Sequence, residues 1–155
     1  MGYAVAGWRR QASPLADISC YHGDAGLREL LPRTDVLVCL LPATPQTRHL
    51  LNTETLALLP DGAALINAGR GSLIDEGALL ARLDSGHLRF ALLDVFAVEP
   101  LPDDHPFWRH PRVIVTPHIA ANTIPEEAVR QIAANLAAQA RGEAMSGVVD
   151  RQRGY

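Results

Sequence analysis

The chain has 155 residues, 48% of them apolar, and its 17 acids against 14 bases leave a net charge of −3. That length supports one domain with a sizeable core, and the scattered charges give no electrostatic case for nucleic acid. No apolar run is long enough for a membrane span, and the amino terminus lacks a charged-then-apolar secretory pattern, so a cytoplasmic setting is expected.

Short β-rich runs alternate with helical patterns, which predicts an α/β sheet. The predicted strands are Tyr3–Trp8, Asp17–Tyr21, Val36–Leu41, Ala64–Ala68, Phe90–Asp94 and Val113–Thr116. Their nearly continuous apolar character is that of a parallel sheet covered by helices on both faces. Between them, Asp24 can cap a helix through Leu27, Leu30 and Leu31 that stops near Pro32. Asn52 can cap a short helix over Leu56 and Leu59, halted by Pro60. Asp75 caps a third that buries Leu79, Leu80 and Leu83, with Gly86 placed to end it in a left-handed conformation. Thr123 and Glu126 form a capping box before the longest helix, where Val129, Ile132, Ala133, Leu136, Ala137 and Ala140 recur at helical spacing. Residues 100–111 make a Pro-rich connection long enough to shape the rim of a site.

Three polar side chains stand on loops just after predicted strands: Arg70 after Leu65–Ala68, Glu99 after Asp94, and His118 after Thr116-Pro117. In an open parallel sheet, loops at the carboxyl ends of strands converge on one crevice, so the three are expected to meet. Arg70 between Gly69 and Gly71 can hold a carboxylate through its planar fork, the glycines allowing a sharp turn and close approach to a ligand. An imidazole can both give and take a proton, so His118 can move one in both directions. Glu99 can orient it and favour its protonated form. Taken singly, each residue is as well read as a surface or capping group; together they outweigh that reading. Asp103, Asp104 and His105 match no usual metal spacing, and no metal is expected. Phe107 and Trp108 read as packing under the loop or as a wall of the pocket; no partner is named for His22, His49, His87 or His110. All 14 bases are arginine, consistent with GC-rich codons. Cys20 and Cys39, in apolar strand contexts, read as buried reduced thiols.

The segments Asn67–Gly71, Asp94–Pro100 and Thr116–Ala121 resemble the D-isomer-specific 2-hydroxy-acid dehydrogenases, over nearly the whole chain. Gly7–Arg10, Leu40–Thr47 and the tail Val149–Tyr155 look most like the glyoxylate/hydroxypyruvate reductases within it. The resemblance implies a doubly wound, Rossmann-like parallel sheet, with residues 1–122 a partial dinucleotide-binding domain and 123–155 a helix and tail returning to a substrate domain. It implies reduction of a small 2-keto acid with NADP, or NAD, by a full-length homodimer. Arg70, Glu99 and His118 would be catalytic. Leu41, Pro42 and Thr47 would line the cofactor cleft, with Ala68, Asp94 and His118 near the nicotinamide. Arg9 and Arg10 follow the strand where an acid would select the non-phosphorylated cofactor; two guanidinium groups there favour a 2′-phosphate, hence NADPH. Glu99 counts against formate dehydrogenases, which resemble this scaffold but carry Gln at that place. A 3-phosphoglycerate dehydrogenase is the nearest enzymatic rival.

The resemblance also implies an absence. The family's Gly-rich G-x-G-x-x-G turn and first strand are missing, as though the chain were the carboxy-terminal half of an enzyme. In the order 3-2-1-4-5-6 that first strand is central, so its loss leaves the second and fourth strands with open edges. The sheet then closes differently, another chain fills the gap, or the chain is an incomplete gene product, which is the favoured reading. A non-catalytic remnant that binds dinucleotide weakly or not at all is the rival from another class, because pyrophosphate would lose its main anchor.

Overall fold

The computed structural model describes residues 2–12 and 18–151. Met1, Asp17 and the tail residues 152–155, which entered the expectations above, lie outside the described residues. Ten principal elements follow in chain order: β1 (Ala6–Arg9), β2 (Ser19–His22), α1 (Gly23–Leu30), β3 (Val36–Cys39), α2 (Thr53–Leu56), β4 (Ala63–Asn67), α3 (Glu76–Asp84), β5 (Leu88–Leu93), β6 (Val113–Val115) and α4 (Pro125–Ala140). Every strand pairing is parallel. The strands form two sheets, β1-β2 and β3-β4-β5-β6, with no pairing between β1 and β3. That is the 3-2-1-4-5-6 order without its central member, as the family resemblance implied. The small sheet is tied to the rest by side chains: Trp8 packs on the core and its indole N–H donates to the Gly23 carbonyl at 2.8 Å. Leu27 and Leu31 enter the core beside it.

The register divides the four-stranded sheet into two unequal faces. Leu37, Cys39, Leu65, Ala91, Leu93, Val113 and Val115 share one face and join the core with Leu56, Leu79 and Leu83 from the helices. The other face carries Val36, Val38, Ile66, Phe90, Leu92 and Ile114, none of them in that core. Leu65 and Ala91 are 0% exposed, whereas Val38 is 50% and Ile114 53% exposed. Among the described residues this second face is thus the more open one, although Ala64 on it is buried. Strand composition records how apolar a face is, not what lies on it.

Helix ends divide the same way. Asn52 accepts from Glu54 and Thr55 N–H groups and completes a capping box with the Thr55 hydroxyl. Asp75 accepts from Ala78 N–H, and Gly86 has φ +78°. Asp24 does not cap α1: His22 holds the N-cap position, and Asp24 lies in the first turn, where its charge suits the helix dipole. Thr123 does not cap α4 either. Ile124 is its N-cap, without a side-chain bond, and Pro125 starts the helix. The apolar spacing of α4 is real, yet Val129, Ile132 and Leu136 are exposed and only Ala138 is buried.

Of the histidines for which no partner was named, His87 pairs with Asp61 at 2.7 Å and His110 with Asp84 at 3.2 Å, at the amino ends of β5 and β6. Cys39 is buried and Cys20 half-buried, both free thiols. Burial pushes the Cys39 thiol up to about 11, so it packs as an apolar group rather than serving as a nucleophile. Among the described residues, no helix is long and apolar enough to cross a membrane, and no cluster of side chains could hold a metal ion.

Candidate active site

The carboxyl ends of β4, β5 and β6 lead into the three loops that carry Arg70, Glu99 and His118. Buried polar residues at the ends of β4 and β5 hold these loops. Asn67, 0% exposed, accepts from Gly69 N–H through Oδ1 and donates from Nδ2 to the Arg70 carbonyl, so one amide shapes the whole turn. Neither Gly69 nor Gly71 has positive φ. Their missing side chains serve neighbouring backbone: a Cβ on Gly69 would stand 2.8 Å from the Leu41 carbonyl oxygen, and one on Gly71 would overlap the Phe96 carbonyl. The expected reason for these glycines, a sharp turn open to ligand, is corrected to close packing of three loops.

Asp94 ends β5 and is 1% exposed. Its Oδ1 accepts from the Thr116 hydroxyl and, at 2.9 Å, from Ile119 N–H, while Oδ2 accepts from Ala120 N–H at 2.9 Å. Burial pushes this carboxyl up, but the three hydrogen bonds and nearby His118 outweigh it and hold it below its ordinary value. Asp94 thus binds the loop that carries His118. That loop is tight: His118 has φ +55°, a conformation few non-glycine residues adopt, and its N–H donates to the Thr116 carbonyl.

His118 Nδ1 lies 2.8 Å from Glu99 Oε2, with the imidazole about half exposed. Glu99 Oε1 accepts from Phe96 N–H at 2.9 Å. That backbone bond, then the bond to His118, hold the Glu99 carboxyl below its ordinary value against burial, and the charges of His118 and Arg70 add to the effect. Nδ1 is committed to Glu99, so Nε2 is the ring nitrogen left to meet a ligand. Arg70 is exposed and donates from Nη1 to the Gly69 carbonyl at 2.7 Å. A cation, a carboxylate and an imidazole so arranged can hold an oxyacid and exchange a proton with it.

A cavity of about 520 Å³ opens between the carboxyl ends of β1 and β3. Trp8, Arg9, Arg10, Leu41, Pro42 and Thr47 are among its lining residues. Thr47 shapes the wall rather than offering its hydroxyl, which donates to the Pro42 carbonyl at 2.8 Å. Arg10 Nη1 donates to Gln46 Oε1 at 3.1 Å. Ala68 is outside this lining; its N–H donates to the Cys39 carbonyl, beside the Gly69–Leu41 contact that joins the two sites. The lining fits a dinucleotide carrying an extra phosphate: two guanidinium groups beside an apolar wall. Sequence reading passed over Asn67 as a loop organiser, although a buried Asn before a Gly-rich turn is a signal for local backbone bonding.

Residues 1–120 match the family described as D-isomer specific 2-hydroxyacid dehydrogenase, NAD binding domain. The chain belongs to this dehydrogenase family. It is 47% identical over 154 residues to glyoxylate/hydroxypyruvate reductase A of Salmonella paratyphi B, covering 99% of this chain and 49% of that protein. The chain therefore spans about half the length of the curated relatives it matches. Among solved structures, a D-isomer specific 2-hydroxyacid dehydrogenase from Xanthobacter autotrophicus Py2, in complex with NADPH and MES, matches with TM-score 0.96 and 47% identity, over 99% of this chain and 64% of that one. An NADPH-dependent glyoxylate/hydroxypyruvate reductase from Sinorhizobium meliloti, in complex with NADP and sulfate, matches with TM-score 0.93 and 40% identity, over 99% and 50%. Phosphoglycerate dehydrogenase from Lactobacillus plantarum is more distant, with TM-score 0.73 and 32% identity over 97% and 48%. The chain is thus a Rossmann-like α/β fold, with its small sheet and its four-stranded sheet in the family's arrangement.

Proposed function

We propose that this chain carries the acid/base and cofactor-binding residues of an NADPH-dependent reductase of small 2-keto acids, glyoxylate or hydroxypyruvate. The observation that carries the reading is the His118–Glu99 pair at 2.8 Å, with Arg70 close enough to act on Glu99 by its charge. Arg70 anchors the substrate carboxylate and polarises the adjacent carbonyl. His118, kept in one orientation by Glu99, gives a proton from Nε2 to the carbonyl oxygen as it becomes a hydroxyl. Bound NADPH supplies the hydride. Arg9 and Arg10 would hold its 2′-phosphate, and Leu41, Pro42 and Thr47 would line the cleft, with Ala68 and Asp94 near the nicotinamide. A cytoplasmic homodimer is part of this reading.

A second reading is favoured by one observation: the sequence has no G-x-G-x-x-G turn to place backbone N–H groups against the pyrophosphate. In that case these 155 residues by themselves bind dinucleotide weakly or not at all and turn over no keto acid. Thermal unfolding with each cofactor, followed by NADPH oxidation with glyoxylate and hydroxypyruvate, separates the two. A ligand at a hundred times its dissociation constant adds about 2.7 kcal/mol. NADPH is expected to raise the midpoint more than NADH does, replacement of Arg9 and Arg10 by alanine to narrow that difference, and keto acid to consume NADPH. No response to either cofactor and no turnover would sink the reductase reading.

A further inference from the structure

Two consecutive backbone N–H groups after β5 are claimed by two different carboxylates. Phe96 N–H donates to Glu99, the partner of His118, and Ala97 N–H donates to Glu76 Oε1 at 3.0 Å. Glu76 stands in the first turn of α3, outside the site described above. Its second oxygen is 3.6 Å from His105 Nε2, an ion-pair distance rather than a hydrogen bond. His105 is itself braced. Its Nδ1 accepts from Phe107 N–H at 3.3 Å, so the neutral ring carries its hydrogen on Nε2, towards Glu76. Its ring lies 4.6 Å from that of buried Phe107, which packs on Phe96 at 6.4 Å. The circuit Glu76–His105–Phe107–Phe96 closes on the peptide where it began, and Gly71 presses that peptide from another side. Planar peptide units turn only about the two dihedrals of the residue between them. Fixing the Ala97 N–H therefore restricts where the Phe96 N–H can point.

We propose that Glu76, braced by His105, is a positioning residue that aims the Phe96 N–H at Glu99 and so fixes the Glu99–His118 pair. The proposal rests on the reading of that pair as the proton-transfer group. The two carboxylates divide the work: Glu99 faces the substrate side, and Glu76 holds the loop from behind.

Two conservative variants test it. Glu76→Asp keeps an acid in the first turn of α3 but is one methylene short of Ala97. Glu76→Gln keeps a carbonyl oxygen at the right reach and removes the charge. In Glu76→Asp, the Phe96 amide is expected to exchange faster, and the Glu99 carboxyl, followed by carbon NMR, to titrate closer to the ordinary carboxylate range. NADPH oxidation with glyoxylate should lose roughly tenfold in kcat with little change in KM. Glu76→Gln should stay near the parent chain in all three. A Glu99 titration unmoved in Glu76→Asp overturns the proposal, whatever happens to the melting temperature. If Glu76→Asp does not fold, His105→Leu removes the brace and should move Glu99 the same way; an unmoved Glu99 there overturns the proposal equally. Should the parent chain turn over no keto acid while Glu99 still shifts in the variant, the positioning stands and the reductase reading falls. Normal turnover by the parent chain with an unmoved Glu99 in the variant leaves the reductase reading standing and removes the positioning role of Glu76.

Discussion

Asp94 is tied to His118 chiefly through the backbone of the loop that carries it, with the charge of His118 adding to the effect, and this decides what each substitution does. Replacing Asp94 with Asn puts an NH2 group against at least one of the N–H groups of Ile119 and Ala120. Leaving such a buried donor unmet costs about 1–3 kcal/mol. The sign of the pH effect follows from the depressed carboxyls. Asp94 and Glu99 both lie below their ordinary values in the folded chain. Their contribution is therefore present above the unfolded-state carboxylate pKa and is lost as pH falls through the folded-state values. Melting temperature plotted against pH should drop on the acid side for the parent chain, with a shallower drop in Asp94→Asn; equal slopes would remove Asp94 from the account. His118→Ala tests the chemistry, because a general acid contributes typically about 10²–10⁴-fold. NADPH oxidation with keto acid should fall by that order while cofactor binding, read by thermal shift, persists. Loss of both together would make His118 structural.

At the scale of elements, helix ends were legible where a side chain reaches the first turn and illegible where the backbone alone sets the start. Asn52 and Asp75 each accept N–H groups of the helix they precede. Thr123 has the right spacing to Glu126, but Pro125 moves the start of α4 one residue on. Asn52→Ala and Asp75→Ala should each lower stability by about 1 kcal/mol, whereas Thr123→Ala should leave the denaturant midpoint unchanged. A cost for Thr123→Ala equal to the other two would restore the capping box. The strands were legible to within one to three residues at their ends, since buried apolar runs bounded by Gly, Pro and Asp leave few other readings. Hidden from sequence was which residues of each run lie inward, because an all-apolar strand has no alternation to read.

For the whole molecule, register gives that answer and a test of it. Leu65 and Val38 are both aliphatic residues on adjacent paired strands, yet only Leu65 joins the core. Leu65→Ala should cost about 2–5 kcal/mol, and Val38→Glu within about 0.5 kcal/mol, by urea unfolding of the chain. Similar costs would mean that both faces are covered. The residues proposed to do chemistry, Arg70, Glu99 and His118, were visible in sequence because each follows a strand that must be parallel and buried, and parallel strands deliver their following loops to one end. Arg9 and Arg10 share one cavity with Leu41 and Pro42, whose place in the cofactor cleft the family resemblance, not the strand pattern, implied. Sequence by itself thus determined the alternating α/β class and the end of the sheet where polar groups gather, since these follow from periodicity and chain direction, while the strand order came from the family resemblance. Only the tertiary structure decided how those groups are held: Asn67 within its turn, Asp94 under the His118 loop, Glu76 behind Glu99, and Gly71 against Phe96. Each is a contact between segments distant in sequence or a choice among local hydrogen-bond partners, and hydrophobic pattern carries no information about either.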